Sequence, residues 1–123
     1  MHQHSARFIK VVNEARGRVR ECTVAEVKAW LDAGEALHLI VVREDREYAA
    51  DHLPAATHLG KGIIERDIEQ LIPDSSAKIV LYCGGGYRSA LAADSLQNMG
   101  YSAVWSMDGG IRGWREAGYP TET

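Results

Sequence analysis

Lys78-Ile79-Val80-Leu81-Tyr82-Cys83-Gly84-Gly85-Gly86-Tyr87-Arg88-Ser89 carries the reading of the whole chain. Five strand-like residues run into a cysteine, three glycines follow, and a run with helical spacing extends from about Ser89 to Met99, closed by Gly100. A thiol is a useful nucleophile only as thiolate, and at its ordinary pKa of about 8.5 only a few per cent is ionised near neutrality. A glycine loop, a helix N-terminus and the Arg88 guanidinium are the groups that stabilise an anionic sulfur. Most buried cysteines are inert packing groups. A packed core does not need three consecutive glycines, however, whereas close approach of backbone to a ligand does. Cys83 is therefore the candidate nucleophile, with Gly84, Gly85, Gly86, Tyr87 and Arg88 as an anion cradle.

Upstream and downstream of this stretch, short apolar strands alternate with helical patterns. Phe8, Val11, Val12, Ala15 and Val19 recur at helix-like spacing, and residues 18–22 suit a short strand. Thr23 to Glu26 reads as a capping box, with Val24, Val27 and Leu31 as the buried stripe and Gly34 as the stop. The nearly continuous apolar run 36–42 predicts a strand covered on both faces. A short helix is expected over 44–50, a His52-Leu53-Pro54 turn, a strand over 56–58 and a helix over 62–71 ended by Pro73. Residues 103–105 make a further strand and 111–116 a last helix. This alternation predicts an α/β domain with a mainly parallel central sheet flanked by helices on both faces.

Parallel strands place their following loops at one edge of the sheet, where open α/β folds bind ligands. Cys83 follows such a strand end. So do Arg43 and Glu44, after the strand 36–42, and Asp108, after the strand 103–105. The pocket above Cys83 is thus the default site, with Arg43, Glu44 and Asp108 as its structural support. Ser89 can donate to the sulfur or cap the following helix, and Tyr87 can contact substrate or build the wall. Arg88 is expected to be the leading donor-binding side chain, taking an anion in fork geometry, with pairing to a carboxylate that holds the loop as the alternative.

The chain has 123 residues, 46% apolar and 25% charged, the ordinary balance of one globular domain. A single domain over 1–123 is expected, with 1–17 as an N-terminal helical extension. The net charge of −3 carries no basic footprint for nucleic acid. No apolar run approaches the roughly 20 residues that span a bilayer, and the N-terminus lacks a signal-peptide pattern. Two cysteines, Cys22 and Cys83, do not make a disulfide framework. A cytoplasmic, reducing location is expected. Cys22 has no anion-stabilising neighbours in sequence and reads as a packing cysteine. His2 and His4 form a His-x-His pair that does not indicate a metalloenzyme, and His38 and His58 read as ordinary. No metal or cofactor is called for.

Four segments together resemble the rhodanese-type sulfurtransferases. Cys83, four intervening residues and Arg88 are similar to that family's active-site loop; Leu39 to Glu44 resembles its Asp-Val-Arg-Glu strand end. Tyr48 to Ala56 is similar to its Glu-Tyr-x-x-Gly-His-Ile-Pro-Gly-Ala segment, and Met107 to Trp114 to its closing Gly-Gly and Trp signature. The resemblance covers roughly residues 20 to 120. It implies a rhodanese fold and transfer of a sulfane sulfur from thiosulfate or a similar donor, through a Cys83 persulfide, to cyanide or a thiol. A persulfide carrier docking onto a sulfur-relay partner is the alternative. In this superfamily a four-residue loop goes with sulfur substrates and a five-residue loop with phosphatases. An oxyanion reductase or phosphatase is therefore the weaker reading. By the same resemblance Lys61 sits where a basic residue lines the pocket mouth, although a solvated lysine before a helix is the favoured alternative; His52 is a structural residue of its turn. One departure stands out. Val41 replaces the family's aspartate, so either Glu44 or Asp45 is expected to take over part of its role or the loop is held less rigidly and turnover is slow.

Overall fold

A computed structural model describes residues 4–123; His2 lies outside them. Five strands form one sheet in which every pairing is parallel. They are β1 (Arg20–Cys22), β2 (His38–Val41), β3 (Thr57–His58), β4 (Ile79–Tyr82) and β5 (Val104–Met107), in the spatial order β1-β5-β4-β2-β3. Six helices accompany them among the described residues: α1 (Ala6–Arg16) before the first strand, α2 (Val24–Asp32), α3 (Asp45–Ala50), α4 (Ile64–Leu71) and α5 (Tyr87–Asn98) between strands, and α6 (Gly110–Glu116) after the last. A 3-10 turn at Lys61–Ile63 leads into α4.

The central strands β4 and, after the exposed His38, β2 are apolar without interruption because both faces of the sheet are covered there. Side chains alternate across the pleat. Ile40, Val42, Ile79, Leu81 and Val104 therefore meet Ile64 and Ile68 of α4 and Ala92, Ala93 and Leu96 of α5 on one side. Leu39, Val41, Val80, Tyr82 and Met107 meet Val27 of α2 and Ile111 and Trp114 of α6 on the other. Helix α1 lies on α5. Its buried residues are Val12 and Ala15, whereas Val11, expected on the stripe, points to solvent at 51% exposure. Position 11 falls beside the 8–12–15–19 line that a 3.6-residue repeat selects. The predicted capping box is present: Thr23 Oγ1 accepts from the Glu26 N–H at 3.0 Å, and Glu26 Oε1 accepts from the Thr23 N–H at 2.9 Å.

Among the boundaries that differ from expectation, two bear on the site. Helix α5 begins at Tyr87 rather than Ser89, because Gly86 adopts φ 101° and turns the chain directly from loop to helix. Strand β5 continues through Met107, its added residues held by β1 through the Ser106–Glu21 and Met107–Cys22 pairings. The chain runs outward from β2 to β3, then returns across β2 to β4 and on to β5. The crevice of such a sheet opens where the order reverses, between the carboxyl ends of β2 and β4. Cys83 and Arg43 lie there.

Candidate functional site

Cys83 is 1% exposed and sits at the foot of a cleft of about 680 Å³. His4, Ser5 and Phe8 from the α1 side, Glu44, Arg46 and Glu47 from the α3 side, and Gly85, Tyr87, Arg88 and Arg112 complete the lining. The sulfur accepts the backbone N–H of Gly86 at 3.1 Å and that of Ser89 at 3.4 Å. Ser89 Oγ stands 3.6 Å from Sγ and 2.8 Å from Ser106 Oγ. Both serines are fully buried. Burial alone would push the Cys83 thiol up, but the Ser89 hydroxyl and the N–H groups of Ser89, Gly86 and Gly85 outweigh it and hold the pKa below the usual thiol value. Ser89 is thus the third residue of α5 and faces the sulfur; the cap position belongs to Gly86.

Helix α6 fixes the loop from the other side. The Ile111 N–H donates to Cys83 O at 2.9 Å and the Arg112 N–H to Gly84 O at 3.1 Å. Gly110 makes this approach possible. At φ 55° a Cβ there would stand 2.5 Å from Cys83 O, closer than side-chain carbons come to any atom. Gly84 and Gly85 serve space rather than conformation, since a Cβ at either would press on the guanidinium of Arg112, and at Gly84 also on that of Arg88.

Arg88 takes the carboxylate-pairing course. Its Nη1 and Nη2 donate to Glu47 Oε1 at 2.7 Å and Oε2 at 3.1 Å, a bidentate pair tying α5 to α3. The guanidinium holds the Glu47 carboxyl far below its ordinary value, at about 2, against a smaller opposing effect of burial. Glu47 also accepts the Glu44 N–H at 2.9 Å. The carboxylate on Arg88 is therefore Glu47, a residue that sequence reasoning passed over. Glu44 lines the cleft and adds to the field on Arg88, while Asp45 lies 3.7 Å from His58 Nδ1. Val41 is fully buried in the apolar layer, with no polar role.

The remaining expected residues divide. Asp108 supports the loop region: its N–H donates to Cys22 O at 2.8 Å, its carboxylate accepts from Arg16 Nη2 at 2.7 Å, and it packs beneath Gly86. Tyr87 forms an aromatic group with His4 and Phe8, at centroid distances of 4.8 and 6.2 Å, under the Arg16 guanidinium. Arg43 is buried and holds a different segment, donating from Nη1 to Asp51 O at 2.7 Å; its Nε has no hydrogen-bond partner among the described residues. Lys61 lines a neighbouring cleft with Arg43, His58 and Gly60, separated from that of Cys83 by the shared side chains of Glu44, Arg46 and Arg88. Cys22 is 2% exposed, and burial pushes its thiol up to about 12, an inert group. His52 bonds Tyr48 O through Nδ1 at 3.1 Å and pairs its backbone with Glu122. His4, Ser5, Phe8, Arg46 and Arg112 are further lining residues that the sequence did not indicate; Arg112 stands inside the quoted Gly-Gly to Trp signature, but nothing in its spacing shows which way it points.

The model of the rhodanese-like domain matches residues 23–117. The chain belongs to the rhodanese-like family. A Bacillus subtilis (strain 168) protein named as a candidate sulfurtransferase is 34% identical over 96 residues, covering 78% of this chain and 90% of that protein. A thiosulfate sulfurtransferase of Pseudomonas entomophila (strain L48) is 36% identical over 89 residues, covering 72% and 79% respectively. Among solved structures, a Rhodopseudomonas palustris protein of unknown function, described as a possible tyrosine phosphatase, aligns over 99% of both chains with TM-score 0.88 and 30% identity. That alignment takes in α1 and β1, which precede the residues matched by the family model. No helix among the described residues is long and apolar enough to cross a membrane.

Proposed function

We propose that this rhodanese-like domain is a sulfurtransferase that takes a sulfane sulfur from thiosulfate or a similar donor onto Cys83 and passes it to cyanide or a thiol. The observation that carries the reading is the set of donors aimed at one buried sulfur: the N–H groups of Gly86 and Ser89, with the Ser89 hydroxyl beside them. Such a set stabilises a thiolate before reaction and a charged persulfide sulfur after it. In the first half-reaction the Cys83 thiolate attacks the outer sulfur of thiosulfate. The new bond joins Sγ to that sulfur, the sulfur–sulfonate bond breaks, and its electron pair leaves with sulfite. In the second, the acceptor attacks the terminal sulfur and the Cys83 thiolate departs. The name of the Pseudomonas entomophila relative supports thiosulfate as the donor to try first.

Thiosulfate and cyanide supplied together should yield thiocyanate with the wild-type protein and none with Cys83→Ser. Equal rates from the two would overturn the assignment. Persulfide on Cys83 with negligible thiocyanate would instead mark a carrier that needs a protein acceptor. The four residues between Cys83 and Arg88 weigh against a phosphatase; hydrolysis of an aryl phosphate dependent on Cys83 would reverse that judgement.

A further inference from the structure

Two guanidinium groups lie on the Gly84–Gly85 loop, and their commitments differ. Arg88 is bound through both terminal nitrogens to Glu47, so its charge is offset where it stands. Arg112 projects from the first turn of α6 and stretches along the loop. Its Nη2 lies 3.4 Å from where a Cβ of Gly84 would be, and its Nη1 3.4 Å from that of Gly85. It lines the cleft with Cys83, is exposed, and its side chain has no carboxylate or hydrogen-bond partner among the described residues. The absence of side chains at 84 and 85 lets this group lie against the backbone that wraps the sulfur.

A dianionic donor approaching a thiolate meets like charge, and a cation already paired with a carboxylate offsets little of it. An unpaired guanidinium presents a planar fork that fits two oxygens of a sulfonate or carboxylate. Resting on the sulfur-transfer reading above, we infer that Arg112 receives the anionic end of the sulfur donor and selects anionic donors. Arg88 instead holds α3 against the loop. As the sulfur–sulfonate bond breaks, Arg112 stays beside the oxygens of the departing sulfite.

The test separates anion capture from chemistry. Thiosulfate affinity is measured by calorimetry on Cys83→Ser, which binds without reacting. Adding Arg112→Gln should weaken binding by about tenfold, the loss of one charge-assisted contact in an open cleft. Arg112→Lys should recover part of it. Lys10→Gln, which removes a charge from the exposed side of α1, should leave it unchanged. Equal affinity with and without Arg112, no measurable binding to the parent, or an equal loss in Lys10→Gln would each overturn the inference. On the reactive protein, intact mass after thiosulfate reports one added sulfur atom. Binding that depends on Arg112 without that mass gain would sink the sulfur-transfer reading and leave Arg112 as an anion site. Mass gain with unaltered KM in Arg112→Gln would do the reverse.

Discussion

The sulfur of Cys83 is buried, and burial by itself penalises an anion; local hydrogen bonds reverse the outcome. Ser89 is the pivot, because its N–H and its hydroxyl both face the sulfur. Ser106, 2.8 Å behind it, keeps that hydroxyl in place. A lowered folded-state pKa means that the thiolate's stabilising contribution is fully present above the ordinary thiol value and is lost as pH falls through the folded value. Alkylation of Cys83 by iodoacetamide followed against pH should accordingly show a midpoint below about 8.5. Ser89→Ala should move the midpoint upward, and Ser106→Ala should move it the same way by less. A wild-type midpoint at or above the ordinary thiol value would contradict this account of the loop.

The Glu47–Arg88 pair joins two helices that the sheet alone leaves separate, α3 after β2 and α5 after β4. Each partner is about one-third exposed, so the pair is worth only about 1 kcal/mol after solvent screening. Its sign with pH is definite. The Glu47 carboxyl is depressed to about 2, so its stabilisation is complete above the ordinary glutamate value of about 4.3 and disappears as pH falls through about 2. Urea unfolding at neutral pH should show Glu47→Gln destabilised by about 1 kcal/mol. At a pH below the Glu47 value, the variant and the wild type should converge. A gap that persists undiminished in acid would mean that lost packing, not the ion pair, is being measured. On the opposite side, α6 closes on the loop through two N–H donors, an approach that depends on Gly110 having no side chain.

The cleft is assembled from distant parts of the molecule. Helix α1 precedes the residues matched by the family model, yet His4, Ser5 and Phe8 form one of its walls. The Arg16 contacts to Asp108 and Glu21 hold that wall to the sheet. A wall of this kind sets the size of what reaches the sulfur. Phe8→Ala should therefore raise the rate at which a bulky N-aryl maleimide modifies Cys83 several-fold, while iodoacetamide reacts nearly as before. Equal acceleration of both reagents would point to general loosening, and no change in either would remove α1 from the account of access.

Periodicity alone was enough for the helices and strands of the α/β layer, because their burial is local in sequence: alternating residues of β2 and β4 face opposite apolar layers, and Val12 and Ala15 share one face of α1. The run from Cys83 to Ser89 was legible as a turn from strand to helix, since three glycines after a strand end mark a tight loop, although the helix begins at Tyr87, two residues earlier than its spacing suggests. The quoted motifs also pointed to the family before any fold was known. Other features lay beyond any local pattern. That Glu47 rather than Glu44 or Asp45 meets Arg88, that Ser106 stands behind Ser89, that Arg112 lies free along the loop, and that Lys61 opens into a neighbouring cleft all depend on where separate elements come to rest. Sequence spacing sets which residues share a face or a strand end. A charge's partner is set by distances of a few ångströms between chain segments about 20 to 90 residues apart, and only the packed sheet and its helices decide those.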